Sequence, residues 1–317
     1  MRLNKNIFWI ILSIPIIAPI LYFLQSRYTG GDQGAYWIFY EAVSDVGFLK
    51  VPFLGYYWLN AIEPIHLYLM WIGSAVLNID KNLYVTIYNL VLVFGLYLFF
   101  QKEKVKVLPQ ILIFGNFYIS VLLFAAERLK FAYILYIYAQ LVPTNLTYLL
   151  ILISPFAHLQ SLVIVVSSYL GRLSEDLKKI FYKFTIRKNF IKDLIIFATI
   201  MSAFILFALQ TFIYKIINYI SLGLFSLNDF INFVILFTVP FLLIKEKFKF
   251  SLMYLPLIIP LIVLGGFRVN MISFTIASFF IIKEKKSSSP LYLLILSYFF
   301  YKNILFIDKI LTYGTGF

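Results

Sequence analysis

Long apolar runs recur along the whole of this 317-residue chain. Most of them approach the roughly 20 residues that a helix needs to cross the hydrocarbon core of a bilayer. They are continuously apolar, whereas strands of a membrane barrel would alternate in polarity over about 10 residues. The pattern predicts an all-α polytopic membrane protein with about 10–12 transmembrane helices. The principal runs are Ile7–Leu24, Leu83–Phe100, Leu108–Ala126, Leu194–Phe212, Phe230–Ile244 and Leu291–Phe306.

The composition supports this interpretation. Hydrophobic residues make up 62% of the chain and charged residues only 13%, with a mean hydropathy of +0.91. The net charge of +13 does not point to nucleic acid, because the basic residues sit in short clusters between apolar runs. Cysteine is absent, which excludes disulfides and thiolate chemistry. We expect a single integral membrane domain over residues 1–317.

The basic clusters predict the orientation of the spans. Under the positive-inside rule they lie on the cytoplasmic side, and they include a basic loop over residues 171–192. Residues 25–61 follow the first span and are expected outside. The clusters are Arg2/Lys5, Lys102–Lys106, Arg172–Lys192, Lys245–Lys249 and Lys283–Lys286.

One apolar segment is inconsistent with a chain that changes sides of the membrane at every apolar run. If Ile62–Ile79 and Leu83–Phe100 both crossed the bilayer, the cluster Lys102–Lys106 would lie outside. Since Ile62–Ile79 carries polar residues at both ends, we expect it to be a re-entrant or interfacial helix. Two short segments, Phe131–Leu141 and Leu146–Phe156, are either short spans or a hairpin that dips into the membrane, and as a pair they leave the alternation unchanged.

Several ionisable residues lie outside the basic clusters, at the predicted outer ends of helices. Ionisable groups at membrane depth cost free energy and usually face a protein interior or a wet cavity. A guanidinium fork is suited to phosphate, although an arginine at a helix end is also commonly a snorkelling residue. A histidine at a helix start could act as a base or as a structural hydrogen bonder. These residues are Asp32, Glu63, Glu127, Arg128, Lys130, His158 and Arg268.

The order of these landmarks resembles that of the Wzy/EpsG-like O-antigen and exopolysaccharide repeat-unit polymerases. Asp32 is followed by Tyr36 and Tyr40, as in the first outer segment of those proteins, and Glu63-Pro64 comes next. Further matches are Arg128 with Ala132, then Phe156-Ala-His158-Leu-Gln-Ser161, and last Arg268 in Gly-Gly-Phe-Arg. The spacing of Ser161 and the aromatic residue near Arg268 differ from the family pattern by one or more positions.

The resemblance implies a GT-C-like architecture and a glycosyltransferase in the bacterial inner membrane, with its active face in the periplasm. It would join undecaprenyl-diphosphate-linked oligosaccharide units without metal or other cofactor, with a chain-length regulator and a flippase as further partners and no nucleic acid. Arg128, Arg268, His158 and Asp32 would be catalytic. Substrate-binding residues would be Tyr36, Tyr40, Glu63, Glu127, Lys130 and Ser161.

Two other functions remain open from the sequence. A flippase or transporter of lipid-linked glycans would also place cationic groups in the membrane, but along a path through both leaflets. A membrane glycosyltransferase that adds single sugars would carry an adjacent Asp-Asp or Asp-Glu pair in its first outer loop, where this chain has Asp32 without such a neighbour.

Overall fold

The computed structural model describes residues 5–183, 226–263 and 266–316, together with scattered residues between 190 and 217. Its regular elements are helical throughout these residues. Short 3-10 turns cover Phe48–Lys50, Ser154–Phe156, Leu159–Ser161 and Leu255–Leu257, and a π-helical turn covers Ile72–Val76. The α-helices are α1 (Lys5–Arg27), α2 (Gln33–Ala42), α3 (Val51–Leu59), α4 (Pro64–Trp71), α5 (Lys81–Glu103), α6 (Val107–Phe114), α7 (Phe117–Phe124), α8 (Glu127–Ala139), α9 (Thr144–Ile153), α10 (Leu162–Lys183), α11 (Leu227–Leu243), α12 (Lys247–Tyr254), α13 (Ile258–Val263), α14 (Gly266–Lys283) and α15 (Pro290–Tyr313).

Four of these helices are long and apolar enough to cross a membrane: Trp9–Arg27, Lys81–Glu103, Gly266–Lys283 and Pro290–Tyr313. A fifth span results if α6 and α7 count as one helix bent by 47°. The prediction of an all-α protein with several apolar spanning helices is confirmed for the described residues. The count of 10–12 and the GT-C-like architecture stay predictions, and most of the predicted span Leu194–Phe212 lies outside the described residues.

The chain divides into two compact units. The first contains residues Met1–Leu162 and Ser287–Phe317, and the second contains Val163–Lys286. The expected basic loop at 171–192 belongs to the second unit, where residues up to Lys183 are helical and continue α10. Also in this unit, α11 packs along α14, and the hydroxyl of Tyr254 donates to the carbonyl oxygens of Leu236 and Ser273, joining α12 to both.

In the first unit, α1 and α5 run antiparallel. The amide of Asn89, in the first half of α5, donates to the side chain of Gln25, near the end of α1, over 3.4 Å. The backbone N–H groups of Thr29 and Gly30 donate to the carbonyl of Gly314, so α1 and α15 end side by side. The last residues of α1 and α15 therefore lie at the same end of this unit as the first residues of α5.

This arrangement agrees with the distribution of basic residues. Helix α1 begins at Lys5, α5 ends within the Lys102–Lys106 cluster, and Lys285 and Lys286 precede α15 along the chain. In all three spans basic residues flank the end opposite to Lys81, and single basic residues, Arg27 in α1 and Lys309 in α15, also lie towards the Lys81 end. The positive-inside rule predicts that the end marked by Lys81 faces away from the cytoplasm.

The segment expected not to cross, Ile62–Ile79, forms α4 and the π-helical turn that follows it. This apolar helix, Pro64–Val76, is shorter than the candidate spans. At about 1.5 Å per residue it is about 20 Å long, which is less than the roughly 30 Å of hydrocarbon. The segments Phe131–Leu141 and Leu146–Phe156 fall in α8 and α9, which pack against each other.

Candidate functional site

Four helix starts of the first unit converge on one group of polar side chains. Helices α2, α4, α5 and α8 each contribute from their first turn or from the residue before it, and the turn Leu159–Ser161 closes the group. Helix starts carry unpaired backbone N–H groups and a positive dipole end, which favours carboxylates and anions. The side chains form two clusters, which share α8.

The first, the lysine cluster, consists of Gln33, His66, Lys81 and Glu127, all at most 2% exposed. The ammonium of Lys81 donates to Gln33 Oε1 over 2.9 Å and to Glu127 Oε2 over 3.1 Å. Gln33 in turn donates to the carbonyl of Phe124. The other carboxylate oxygen of Glu127 lies 3.9 Å from His66 Nε2. A buried ion pair thus connects the starts of α5 and α8.

The second, the arginine cluster, consists of Tyr36, Glu63, Arg128, His158 and Gln160. Arg128 Nε donates to the hydroxyl of Tyr36 over 3.2 Å, and its Nη1 lies 3.7 Å from Glu63 Oε2. The other oxygen of Glu63 lies 3.2 Å from His158 Nδ1. The side chains of Arg128 and His158 are 13% and 9% exposed, against 2% for Glu63. Arg128 and His158 therefore form the accessible edge, with the carboxylate of Glu63 behind them.

Local backbone geometry places Glu63 between its partners. Helix α3 ends at Asn60 in the left-handed conformation (φ 46°, ψ 44°), which asparagine tolerates better than most residues. Pro64 starts α4 and restricts the residue before it to extended backbone, and Glu63 has φ −74° and ψ 102°. Its carboxylate then accepts from the backbone N–H groups of Ile62 and Leu159.

His158 has an oxygen acceptor at each ring nitrogen. Glu63 Oε1 lies 3.2 Å from Nδ1, and Gln160 Oε1 lies 3.3 Å from Nε2. A protonated ring would donate to both oxygens. A neutral ring that donates to Glu63 through Nδ1 would need a donor at Nε2, and this requires the Gln160 amide to be flipped so that its NH₂ faces Nε2. In both states the carboxylate of Glu63 fixes the ring and favours protonation at Nδ1.

Lys130 and Ser161 are also buried here, and each has a side-chain polar atom without a hydrogen-bond partner among the described residues. Lys130 lies on α8, which is not one of the candidate spans. Burial lowers the pKa of Lys130 to about 7, although the charge of Glu127 opposes the shift. Burial alone would raise the pKa of Glu127, but Lys81 and His66 lower it to about 2.

The remaining predicted residues are not members of the two clusters, but Asp32 lies close enough to Tyr36 and Arg128 to interact with them electrostatically. Asp32 is exposed directly before α2 and forms no side-chain cap on that helix. Tyr40 is buried, and its hydroxyl donates to the carbonyl of Ile79, so it connects α2 to the chain before α5. Arg268 lies in the first turn of α14 in the second unit. The pairing of Arg128 with Arg268 stays a prediction.

Sequence reasoning missed Lys81, Gln33 and Gln160 and gave little weight to His66. Lys81 had the same signal as the residues that were selected, because it is an ionisable residue outside the basic clusters at the outer end of a predicted span. Gln33 directly follows Asp32, but a neutral amide in a polar turn gives no distinguishing pattern. Gln160 lies two residues after His158 and was noted only as a polar neighbour.

No group of three or more His, Cys, Asp or Glu residues suited to hold a metal ion is found in the part of the chain that the structure describes. Comparison with protein-family models, with curated proteins and with solved structures gives no match for this chain.

Proposed function

We propose that this protein is a membrane polymerase that joins oligosaccharide units carried on undecaprenyl diphosphate, at the outer face of a bacterial inner membrane. The observation that supports it is the arginine cluster. Tyr36, Glu63, Arg128 and His158 come from four separate segments, and each contacts another member of the group. All four are among the residues to which the sequence resemblance assigns a role in this reaction.

The cluster offers the groups that a glycosyl transfer with a diphosphate leaving group needs. Arg128 Nη1 is buried without a hydrogen-bond partner among the described residues, and a phosphate oxygen would approach this side chain at the part that leaves it 13% exposed. The Arg128 guanidinium at the edge of the cluster would stabilise the negative charge that develops on the departing diphosphate. Arg268 is the second proposed diphosphate ligand.

In the proposed step, a hydroxyl of the acceptor sugar attacks the anomeric carbon of the donor. The new C–O bond forms as the bond from that carbon to the diphosphate oxygen breaks, and undecaprenyl diphosphate leaves with the electron pair. A base takes the hydroxyl proton. His158 and Asp32 are the candidates, and the carboxylate partner of His158 at 3.2 Å favours His158. Tyr36 would orient the glycan beside Arg128.

Complementation of a bacterial strain that lacks its own copy of the gene tests this proposal. Arg128→Ala should abolish long-chain polymer and leave single lipid-linked units, with normal amounts of protein in the membrane. The matched control is Arg27→Ala, since Arg27 is an exposed arginine at the end of α1. Arg268→Ala should behave like Arg128→Ala. Long-chain polymer in both variants would overturn the proposal.

A flippase or transporter of lipid-linked glycans is the second candidate, and one residue favours it. Lys302 lies near the middle of α15, and its ammonium lies 5.2 Å from the ring centre of Phe117 and 5.6 Å from that of Tyr298. A charge at membrane depth is expected along a transport path. The transporter candidate is disfavoured by α5, which has no charged residue between Lys81 and Lys102. Vesicles with purified protein and lipid-linked units distinguish the two, since a polymerase lengthens the glycan and a flippase only moves it.

A further inference from the structure

Helix α3 exposes large apolar side chains within the segment expected to be an aqueous outer loop. Leu49, just before the helix, is 88% exposed, Phe53 is 71% exposed and Tyr57 is 68% exposed. Tyr56 and Trp58 add further exposed aromatic surface. Water is a poor solvent for such a continuous patch, and exposed patches of this kind mark contact surfaces.

The helix is attached to the rest of the first unit along a narrow stripe. Val51, Gly55 and Leu59 are buried at intervals of four residues, which places them on one helical face. A Cβ atom at Gly55 would collide with the side chain of Leu67, so the glycine lets α3 approach α4 closely. On the opposite face, Phe53 and Tyr57 are largely exposed in the part of the chain that the structure describes.

The exposed face belongs to a regular helix and not to an irregular loop. The chain turns at Asn60 in the left-handed conformation. The N–H groups of Asn60 and Ala61 donate to the carbonyls of Tyr56 and Gly55, which satisfies the last turn. A helix with its backbone groups paired can lie in an apolar medium without leaving them unsatisfied.

The position of α3 indicates which medium this is. It connects α2 and α4, whose starts carry Tyr36 and Glu63 in the arginine cluster. That cluster lies beside Lys81 at the end of the spanning helix α5, so α3 lies near the level at which the spans leave the membrane. Tyrosine and tryptophan are enriched at this level because their rings are apolar and their polar atoms can reach water.

The charge of the segment supports the same interpretation. Val51–Leu59 contains no charged residue, and Lys50 precedes it at an exposed position. An interfacial helix without basic residues depends on apolar burial and not on attraction to anionic lipid headgroups. We propose that α3 is an interfacial helix whose exposed face lies in the lipid of the leaflet next to the arginine cluster. This inference does not depend on the polymerase proposal.

Site-directed spin labelling tests it, and the absence of cysteine makes every introduced cysteine unique. The intact protein is labelled at Tyr57→Cys on the exposed face, at Leu59→Cys on the buried stripe and at Asp45→Cys, an exposed charged position before α3. Each variant is reconstituted in uncharged phosphatidylcholine vesicles. Collisions of the label with oxygen, which concentrates in lipid, and with a water-soluble nickel chelate are then measured.

A label at position 57 should collide with oxygen several times more often than with the chelate, relative to position 45, and 1 M salt should not change the ratio. Position 59 should be shielded from both reagents. The inference is overturned if position 57 is as accessible to the chelate as position 45, which would place α3 in water. It is also overturned if position 57 is shielded from both reagents, which would indicate a protein partner. If Leu59→Cys fails to fold, positions 45 and 57 still decide between lipid, water and a partner.

Discussion

The ammonium of Lys81 lies 3.1 Å from the carboxylate of Glu127, and the two side chains are at most 1% exposed. Breaking a buried ion pair by removing one partner typically costs about 3–5 kcal/mol, because the other charge stays buried without compensation. Lys81→Met and Glu127→Gln should each destabilise the first unit by an amount in that range. Thermal unfolding in detergent, followed by circular dichroism, measures the change.

The double variant Lys81→Met/Glu127→Gln separates the pair from its surroundings. If the two residues stabilise each other, the double variant should lose much less unfolding free energy than the sum of the losses in the two single variants. Additive losses would mean that each side chain is stabilised independently, and single losses below about 1 kcal/mol would place both groups in contact with water.

Lys130 should make stability depend on pH. Its pKa is about 7 in the folded protein, against an ordinary value of 10.5. Between these two values the unfolded chain binds more protons than the folded one, so stability rises with pH across this window and is flat below it. Lys130→Met should remove that rise and increase stability at pH 7. Melting temperatures from pH 6 to pH 10 test this, and parallel curves for the two proteins would contradict it.

The identity of the catalytic base can be tested by two isosteric changes, on the assumption that the protein is a polymerase. His158→Gln removes the group that Glu63 orients and should lower the rate of polymerisation by about 10²-fold or more. Asp32→Asn removes an exposed carboxylate that makes no side-chain cap and should change the rate less than tenfold. The reverse order of effects would assign the proton transfer to Asp32.

Gly73 is predicted to be essential for packing in the π-helical turn. An added Cβ would lie 2.5 Å from Cε1 of Tyr84 and 2.7 Å from the hydroxyl of Tyr40. Both tyrosines are held by their hydroxyls, which donate to the carbonyls of Leu69 and Ile79. Gly73→Ala should therefore cost about 1–3 kcal/mol.

The control for this change is Gly34→Ala. Gly34 lies in α2, and a Cβ there would have no neighbour within 4 Å. Alanine is the better helix former by up to about 1 kcal/mol, so the control should be neutral or slightly stabilising. Equal losses in the two variants, measured by thermal unfolding, would show that the tyrosines can move aside.

The spanning helices could be predicted because the bilayer imposes a simple requirement on length and polarity. The runs Leu83–Phe100 and Leu291–Phe306 lie within α5 (Lys81–Glu103) and α15 (Pro290–Tyr313). The run Leu108–Ala126 was predicted as one segment, but it is interrupted at Gly115–Asn116, where Asn116 caps the next helix through the N–H of Tyr118. An average of hydropathy does not register a break of two residues.

The candidate site could be predicted only in part, for a different physical reason. Glu63, Arg128 and His158 were selected because ionisable residues at the ends of apolar runs are costly unless they have partners. Which partners they take depends on contacts between distant segments: Tyr36 and Arg128 are 92 positions apart, and Glu63 and His158 are 95 apart. Such pairings are set by how the helices pack, and periodicity along the chain does not determine them.

The pairing of Lys81 with Glu127 also constrains the order of assembly. Lys81 precedes Glu127 by 46 positions, so the lysine leaves the ribosome before the carboxylate does. Until then the ammonium must stay hydrated at the membrane surface, which its place at the first residue of α5 permits. Burial of the lysine can follow only when α8 arrives. The ion pair can thus form only after α8 has been made, although α15 of the same unit follows later still.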